Sequence, residues 1–571
     1  MAALQGIAPT PRLFGATNPA LSIELNALGE GAFAPATYAR ERLVARAGAF
    51  RAPDALRWPA TGRLAHRFAN DLFDRIHVLP TALPLGNVVS ELTREIAVWN
   101  AWRATPQTLT ALRLMGDAGS TLTAPAALPM SLRPMQERVL TLTVGLDGPP
   151  VIDAAAVLSF ADGATWSIRI DGLRLNAWSL PPDWSEPLTE TLAWLADVQV
   201  ALAGTVTRTP LRDAPRRSWE FAVLADRRER RWVEHALFDW TGRVWALPVF
   251  VDTTWCRVAV PAGATQIPVA TAGLDFAVGS LAMLWRDVAT YELVEVAQIA
   301  SDRIGLRAPT RRGWSIGTRL FPCRTARLTD APELRRHTDR LMRTQLRFEA
   351  TEPCDWLAAL PAMRYRGFPV LEHRRDETRD PGASFARRFD LLDGEVGRSH
   401  ADDLSGLAWT TQSHAWRLMG RAERAAHRSL LYGLQGRAEA LWLPTWTDDL
   451  EVVETIGAGA VTMTVAACGI SRSLRQQAGR RHIRIELVDG TVFYRAVEAS
   501  SEVALPNGET AERLRMDAAL GIVVRPEQVR LGCWMALVTL ASDTVELQHH
   551  ADSEGLLDCA VTFAGVPAEE P

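Results

Sequence analysis

Short stretches in which apolar and polar residues alternate run through most of this chain, and a period of two is that of a strand with one face buried. Residues 138–146 (RVLTLTVGL) form one such run, and Asp147-Gly148-Pro149-Pro150 after it has the composition of a turn. Residues 154–160 follow, then Asp162-Gly163, then Trp166-x-Ile168-x-Ile170, with Asp171-Gly172 opening the next run. Strands punctuated by Asp-Gly pairs predict an immunoglobulin-like β-sandwich over residues 81–178. Two later stretches switch to helical spacing. One is 226–240, with Trp232, His235, Ala236 and Asp239 on its flank, and the other is 424–434, with Leu430, Leu431 and Leu434 on one side. A glycine stands where each helix should stop, Gly242 and Gly436. Alternating strands then return, at 282–286, 292–297 and 304–306 after the first helix and at 482–488 and 522–524 after the second, predicting small barrel or sandwich cores.

The likeness of those two stretches extends along the chain. RVWALPVFVD (243–252) is written again as AEALWLPTWTDD (438–449), with Leu247-Pro248 on Leu443-Pro444 and Asp252 on Asp448. In the same register Ala262-Gly263-Ala264 falls on Ala458-Gly459-Ala460 and Gly273 on Gly469, while Trp219 falls near Trp416 with a shift of one. After length changes that read as loop insertions, Glu333-Leu334-x-x-His337-x-Asp339 matches Glu546-Leu547-x-x-His550-x-Asp552, and each copy ends on a strand-like run, 346–348 and 561–563. Solenoid units repeat every 20 to 50 residues or so, and this repeat is about two hundred long, so it reads as a duplicated domain. Because proline has no N–H for a ladder, Pro248 and Pro444 belong at an edge, a bulge or a bend.

The expected fold class is mainly β and multidomain, an N-terminal immunoglobulin-like sandwich followed by two homologous α+β modules. The boundaries are 1–80 for an irregular arm with one short helix at 37–47, 81–178 for the sandwich, 179–355 for the first module, 356–395 for a connector and 396–571 for the second. The charged, proline-terminated stretch 372–381 (EHRRDETRDP) within that connector reads as solvated.

Composition changes this picture mainly by exclusion. The 62 basic residues are all arginine, so a Walker phosphate loop and a pyridoxal Schiff base lack their lysine. A net charge of -4 without long blocks of one sign gives no reason to expect nucleic acid or an anionic membrane as partner. No apolar run reaches the roughly 18 residues of a membrane span, and the first residues lack a signal-peptide core. The six cysteines, at 256, 323, 354, 468, 533 and 559, stand singly and read as buried free thiols.

Candidate chemistry is sparse. Glu333, His337 and Asp339, repeated as Glu546, His550 and Asp552, bring carboxylates and an imidazole together twice. No cysteine or second histidine pair completes a closed metal shell, so the constellation reads as a turn or domain contact rather than a metal or catalytic site. Gly457-x-Gly459 lacks the third glycine and following helix of a dinucleotide loop and reads as a turn. Asp376-Glu377-x-x-Asp380 is interleaved with arginines, which favours a solvated loop over a calcium site. Twenty tryptophans stand against five tyrosines. Exposed tryptophans would serve as stacking platforms for sugars, but Trp219, Trp245, Trp416, Trp442 and Trp446 sit in apolar runs beside Leu247-Pro248 and Leu443-Pro444, which points to core and interface packing. No catalytic motif is found, and no cofactor and no metal are expected.

Two stretches carry a resemblance. HAWRLMGRAERAAHRSLLYGLQGRAEALWLPTWTDDL (414–450) resembles a segment of structural proteins at the tail tip or baseplate of long-tailed bacterial viruses, in which a helix, a Gly-Arg turn and a strand of the form (Phe/Leu)-Trp-x-Pro precede an acidic residue. Here these are 429–434, Gly436-Arg437, Leu441-Trp442-Leu443-Pro444 and Asp448-Asp449. LPLGNVVSELTREIAVWNAW (83–102) with DGPPVIDA (147–154) resembles the N-terminal β domain of tail proteins in Mu-like phages. The first repeat departs from the pattern, with Val249-Phe250 after its proline. The resemblance implies a non-enzymatic virion protein, assembled in the host cytoplasm as a homotrimer or homohexamer. Its partners would be the tail tube, the end of the tape measure, the hub and fibres. The competing class is a carbohydrate-binding or glycan-degrading tail-associated protein.

Overall fold

The computed structural model describes residues 72–571, apart from 90, 117–118, 146–147, 149–150, 202–204, 388, 405, 407, 475–476 and 553–554. The helix expected at 37–47 and most of the 1–80 arm lie outside the described residues. The protein is mainly β and multidomain, and it divides after Leu175 into two compact units.

In the first unit one sheet orders Ile76–Leu79, Leu92–Asn100, Glu137–Val144 and Ser120–Thr123, and a second orders Ala82–Val88, Thr165–Arg174, Val151–Phe160, Gln107–Met115 and Met130–Leu132. Alternation puts Leu140, Leu142 and Val144 of one sheet and Leu158, Ile168 and Ile170 of the other into a single core. Asp162-Gly163 makes the expected turn, where the Asp162 carboxylate accepts the Ala164 N–H at 2.9 Å. Asp171-Gly172 does not. It lies inside Thr165–Arg174, beside the parallel strand Ala82–Val88. A Cβ on residue 172 would stand 3.0 Å from Leu85 Cβ and 3.1 Å from the Gly86 carbonyl, so this glycine serves close strand approach, which the sequence pattern does not separate from a turn. Gly172→Val is accordingly expected to cost the first unit about 1–3 kcal/mol in urea denaturation, and a variant as stable as the parent would contradict that packing.

The second unit runs through the same order of elements twice. Its first half has strand Arg216–Asp226, helix α1 (Arg227–Trp240), strand Trp245–Pro248, an excursion through Gln266–Pro268, Leu281–Asp287, Thr290–Ala300 and Arg303–Leu306, and then Arg319–Leu328, Arg335–Arg336 and Leu341–Ala350. Its second half has Trp409–Met419, helix α2 (Gly420–Leu434), Leu441–Pro444, an excursion through Thr462–Ala466, His482–Leu487, Val492–Ala504 and Thr510–Met516, and then Val529–Leu540, Thr544–His549 and Leu556–Gly565. Corresponding strands have corresponding neighbours. Arg216–Asp226 pairs with Leu341–Ala350 as Trp409–Met419 does with Leu556–Gly565, and Trp245–Pro248 with Arg319–Leu328 as Leu441–Pro444 does with Val529–Leu540. Even the register breaks agree, falling at Val296/Gln298 in one half and Val497/Ala499 in the other. Each excursion closes around its own apolar cluster, with Ile267, Leu284 and Val296 in the first and Met463, Ile485 and Val497 in the second.

Register also tests the sequence alignment. Trp219 lies opposite Phe348 and Gln412 opposite Phe563, so Trp416, opposite Cys559, corresponds to Val223 rather than to Trp219. The Glu-x-x-x-His match does agree with the register: Arg335 faces Arg343 where Gln548 faces Asp558, and the His337 and His550 N–H groups bond the corresponding carbonyls of Leu341 and Leu556. Pro248 and Pro444 are each the last residue of a four-residue strand. Helix α2 starts at Gly420, four residues before the expected 424, because the Glu423 carboxylate takes the Met419 N–H at 2.9 Å and extends the first turn. Residues 522–524 form only a bridge from Val524 to Ile456.

The stretch 356–395 is more than a connector. Val370 pairs in parallel with Trp442 as Ala177 does with Ala246, and Ala383–Ala386 pairs with Trp409–Met419. Nor is 372–381 wholly solvated, since Arg374 bonds Glu486 at 2.8 Å and Arg379 bonds Asp558 at 2.7 Å.

Candidate functional site

The most unusual chemistry lies where the two halves of the second unit meet. Strand Leu188–Ala193 bonds Arg216–Asp226 of the first half along one edge and Thr544–His549 of the second half along the other. Residues two apart share a face of a strand, so Glu190 points the same way as the buried Leu188 and Leu192, into the protein. There its carboxylate accepts hydrogen bonds from Arg217 Nε and from His549 Nε2, the latter at 2.8 Å, with Arg428 Nη2 at 3.4 Å. Arg217 also binds Asp275, which is held by Arg324 as well. Helix α2 supplies Arg424 and Arg428, whose guanidiniums reach the two oxygens of Asp252 at 2.7 and 3.2 Å. All eight of these side chains are buried.

Four arginines thus face three buried carboxylates, and Glu352, a quarter exposed, adds the fourth at 3.4 Å from Arg324. Burial would push the Glu190 carboxyl up, but Arg217, Arg428 and His549 outweigh it and hold it well below the usual carboxylate range. Burial likewise opposes ionisation of Asp275, yet Arg217 and Arg324 bring it down to about 2. His549 is pushed below its ordinary value by burial against the pull of Glu190, so it meets the carboxylate as a neutral N–H donor. Charged groups this deep persist only when paired and bonded in a fixed geometry. The joint is completed by close contact: at Gly273, φ 70°, a Cβ would stand 3.3 Å from Ala425 Cβ on α2, and Trp194 packs edge-on against Tyr432 at 5.7 Å.

The residues singled out in the sequence are distributed otherwise. Trp219, Trp245, Trp416, Trp442 and Trp446 are all buried, with Leu247 and Leu443, so none offers a stacking platform. Trp245 packs against Trp178, Trp442 against His482, and Trp446 beneath Arg374 and Arg484. Glu333, His337 and Asp339 are exposed; Glu333 pairs with Arg335 and Asp339 with Arg340, and Asp339 lines an open pocket with Arg227, Arg230, Arg231 and Arg340. Glu546 is also exposed, His550 approaches Asp558 at 3.5 Å and Asp552 approaches Arg319 at 3.8 Å. Among the described residues no cluster of His, Cys, Asp or Glu could hold a metal. Cys468 is exposed, against the expectation of six buried thiols; the other five are buried. Sequence reading missed Glu190, Arg217, Asp275, Arg324, Arg424, Arg428 and His549, and used Asp252 only to mark the repeat.

A second polar feature borders helix α2. Three imidazoles, His373, His414 and His427, surround Trp416 at 6.1, 5.8 and 5.1 Å. His427 lines a cavity of about 440 Å³ with Leu360, Met363, Leu371, His373 and Glu423, and neither of its ring nitrogens has a hydrogen-bond partner among the described residues. Burial holds its pKa down to about 3. The unfolded chain therefore takes up this proton first, and stability attributable to His427 declines as pH falls from about 6.5 towards 3. His427→Leu is expected to raise stability by about 1 kcal/mol near neutrality and to remove that decline. Denaturation curves at several pH values test this, and a destabilised variant with an unchanged slope would refute it.

No protein-family model and no curated protein matches the chain.

Proposed function

We propose that this chain is a non-enzymatic structural protein of the tail tip or baseplate of a long-tailed bacterial virus, built to join copies of itself and neighbouring tail proteins. The observation that carries this reading is the joint between the two halves. Ionic contacts with fixed geometry hold two like bodies at one mutual angle, where apolar contacts alone would allow sliding. The halves are read as products of a duplication because their strand pairing agrees down to the register breaks. The first unit is read as immunoglobulin-like: its opening segment divides between the two sheets, with Ile76–Leu79 antiparallel to Leu92–Asn100 and Ala82–Val88 parallel to Thr165–Arg174. Support for the viral part comes from 414–450 and 83–102 with 147–154, which resemble tail proteins. Two like halves per subunit would let a trimer present six similar surfaces to a hexameric tube. The glycan reading loses its main support, since the candidate tryptophans are buried.

The test is to read the genes on either side and to look for this chain in purified particles by mass spectrometry. A very long, helix-rich frame upstream, of the kind that encodes a tail-length ruler, and peptides of the chain in the particle are expected. Polysaccharide-utilisation genes there, with no peptides in any particle, would overturn the reading.

A further inference from the structure

The joint inside the second unit leaves each half with one unused side. Strand Leu188–Ala193 places Glu190 opposite Trp219, and Ala383–Ala386 places Ala383 opposite Gln412. Trp219 and Gln412 are corresponding residues, lying opposite Phe348 and Phe563. Ala383–Ala386 is therefore the second half's counterpart of Leu188–Ala193, with Phe385 in the place of Leu192. Their surroundings differ. Leu192 is 0 % exposed, because Thr544–His549 and the core beneath α2 cover it, whereas Phe385 is 61 % exposed and its strand pairs, among the described residues, only with Trp409–Met419.

The first half has the opposite deficit. Its counterpart of Thr544–His549 is 331–336, which pairs inward with Leu341–Ala350 through Arg335 and Arg336 and, among the described residues, has no strand on its outer side. Its counterpart of α2 is α1. Both helices end with an N–H bonded four residues back, Thr241 to Leu237 and Gln435 to Leu431, followed by Gly242-Arg243 and Gly436-Arg437. Phe238 thus stands where Tyr432 does. Tyr432 is 4 % exposed against Trp194, and Phe238 is 94 % exposed. One chain accordingly carries the two unmatched sides of a joint it has already made once.

We propose that the 331–336 edge and the Phe238 face of α1 in one copy dock on strand Ala383–Ala386 of a second copy, remaking the internal joint between subunits. Charge supports this occupant. Helix α1 opens with Arg227, Arg228, Arg230 and Arg231, while the hairpin of Phe389–Leu392 with His400–Asp403 carries Asp390, Asp393, Glu395, Asp402 and Asp403 against Arg398. That hairpin also exposes Phe389, Leu391 and Leu392, which α1 and its neighbours would cover. Asp448, the exposed counterpart of Asp252, belongs to the receiving side, and Arg230, the counterpart of Arg424 and bonded to Glu234 of its own helix at 2.8 Å, to the arriving side. The contact is heterologous, one surface meeting a different one, so it builds rings or open filaments rather than isologous pairs. It rests on the self-assembly part of the function proposed above and not on the viral part.

The full chain is tested by light scattering after size-exclusion chromatography over a range of concentrations, beside Phe238→Glu and Phe385→Glu. Both positions are exposed, so circular dichroism and the thermal melt should not change. The parent chain is expected to assemble beyond a monomer, and each variant to weaken association roughly a hundredfold. Mixing the two variants gives one intact joint, from the Phe238 of one to the Phe385 of the other, so the mixture should stop at a dimer. Register supplies a second readout: Glu190 faces Leu547, whose counterpart is Leu334, so Leu334→Cys with Ala383→Cys should form a disulfide between copies and Leu334→Cys with Ala386→Cys should not. A parent chain that stays monomeric, an assembly that survives both glutamates, or a mixture that yields no dimer overturns the proposal. Absence of the chain from virus particles would sink the viral reading and leave this one standing.

Discussion

Glu190→Ala is expected to lower the unfolding free energy of the second unit by about 3–5 kcal/mol, because it leaves Arg217 and Arg428 buried with one carboxylate fewer between them. The loss reflects uncompensated charge more than the net worth of the pairs. An all-apolar replacement of the network could be nearly neutral, whereas removing a single member cannot. Acid should reveal the same groups. The folded pKa values of Glu190 and Asp275 lie below those of the unfolded chain, so their contribution is complete above the ordinary carboxylate range. It shrinks as pH falls below that range, and the Asp275 part is gone once pH passes about 2. Glu190→Ala should therefore unfold from a lower plateau with a shallower acid limb. Urea denaturation of the full chain between neutrality and acid, followed by tryptophan fluorescence, measures both quantities; a loss below about 1 kcal/mol with an unchanged acid limb would mean that the network does not hold the halves together.

The strands that could be placed were legible where alternation reports one buried face, as at Glu137–Val144; at His482–Leu487 the sequence alternates but both faces are buried. The twofold pattern was legible because its landmarks, Leu-Pro after a helix and Glu-x-x-x-His before a last strand, are local. The joint was not, because its partners are remote in sequence: Glu190 and His549 lie 359 residues apart, and Glu190 and Arg428 lie 238 apart. A local clue did exist. In Arg216-Arg217-Ser218-Trp219 alternation puts Arg217 on the face of Trp219, and a tryptophan read as core makes its neighbour two positions away a buried charge. Leu188-x-Glu190-x-Leu192 carries the same information. The misplacement of Trp219 on Trp416 has a related cause, since identity of residue type guided the alignment where only strand register could. His550 drew attention as part of a repeated motif, although its neighbour His549 is the imidazole turned into the protein.

Asp252→Ala and Asp448→Ala make the second large contrast, since the two residues occupy corresponding positions with opposite surroundings. Asp252 is buried and holds both Arg424 and Arg428, so its loss should cost about 3–5 kcal/mol in the isolated chain. Asp448 is exposed, and its loss should lie within about 0.5 kcal/mol. The same pair separates folding from assembly. Where copies meet through the unused sides, Asp448 approaches the Arg230 end of a neighbouring α1, so Asp448→Ala should leave the melt of dilute chain unchanged and raise the concentration at which oligomers form. Parallel melts and association curves on both variants decide the matter. Equal losses of stability would mean that the two halves do not differ in the way their surroundings indicate. An Asp448 variant that assembles as readily as the parent would confine the ionic joint to the inside of the chain and leave the contact between copies to Phe238, Phe385 and the strand edge.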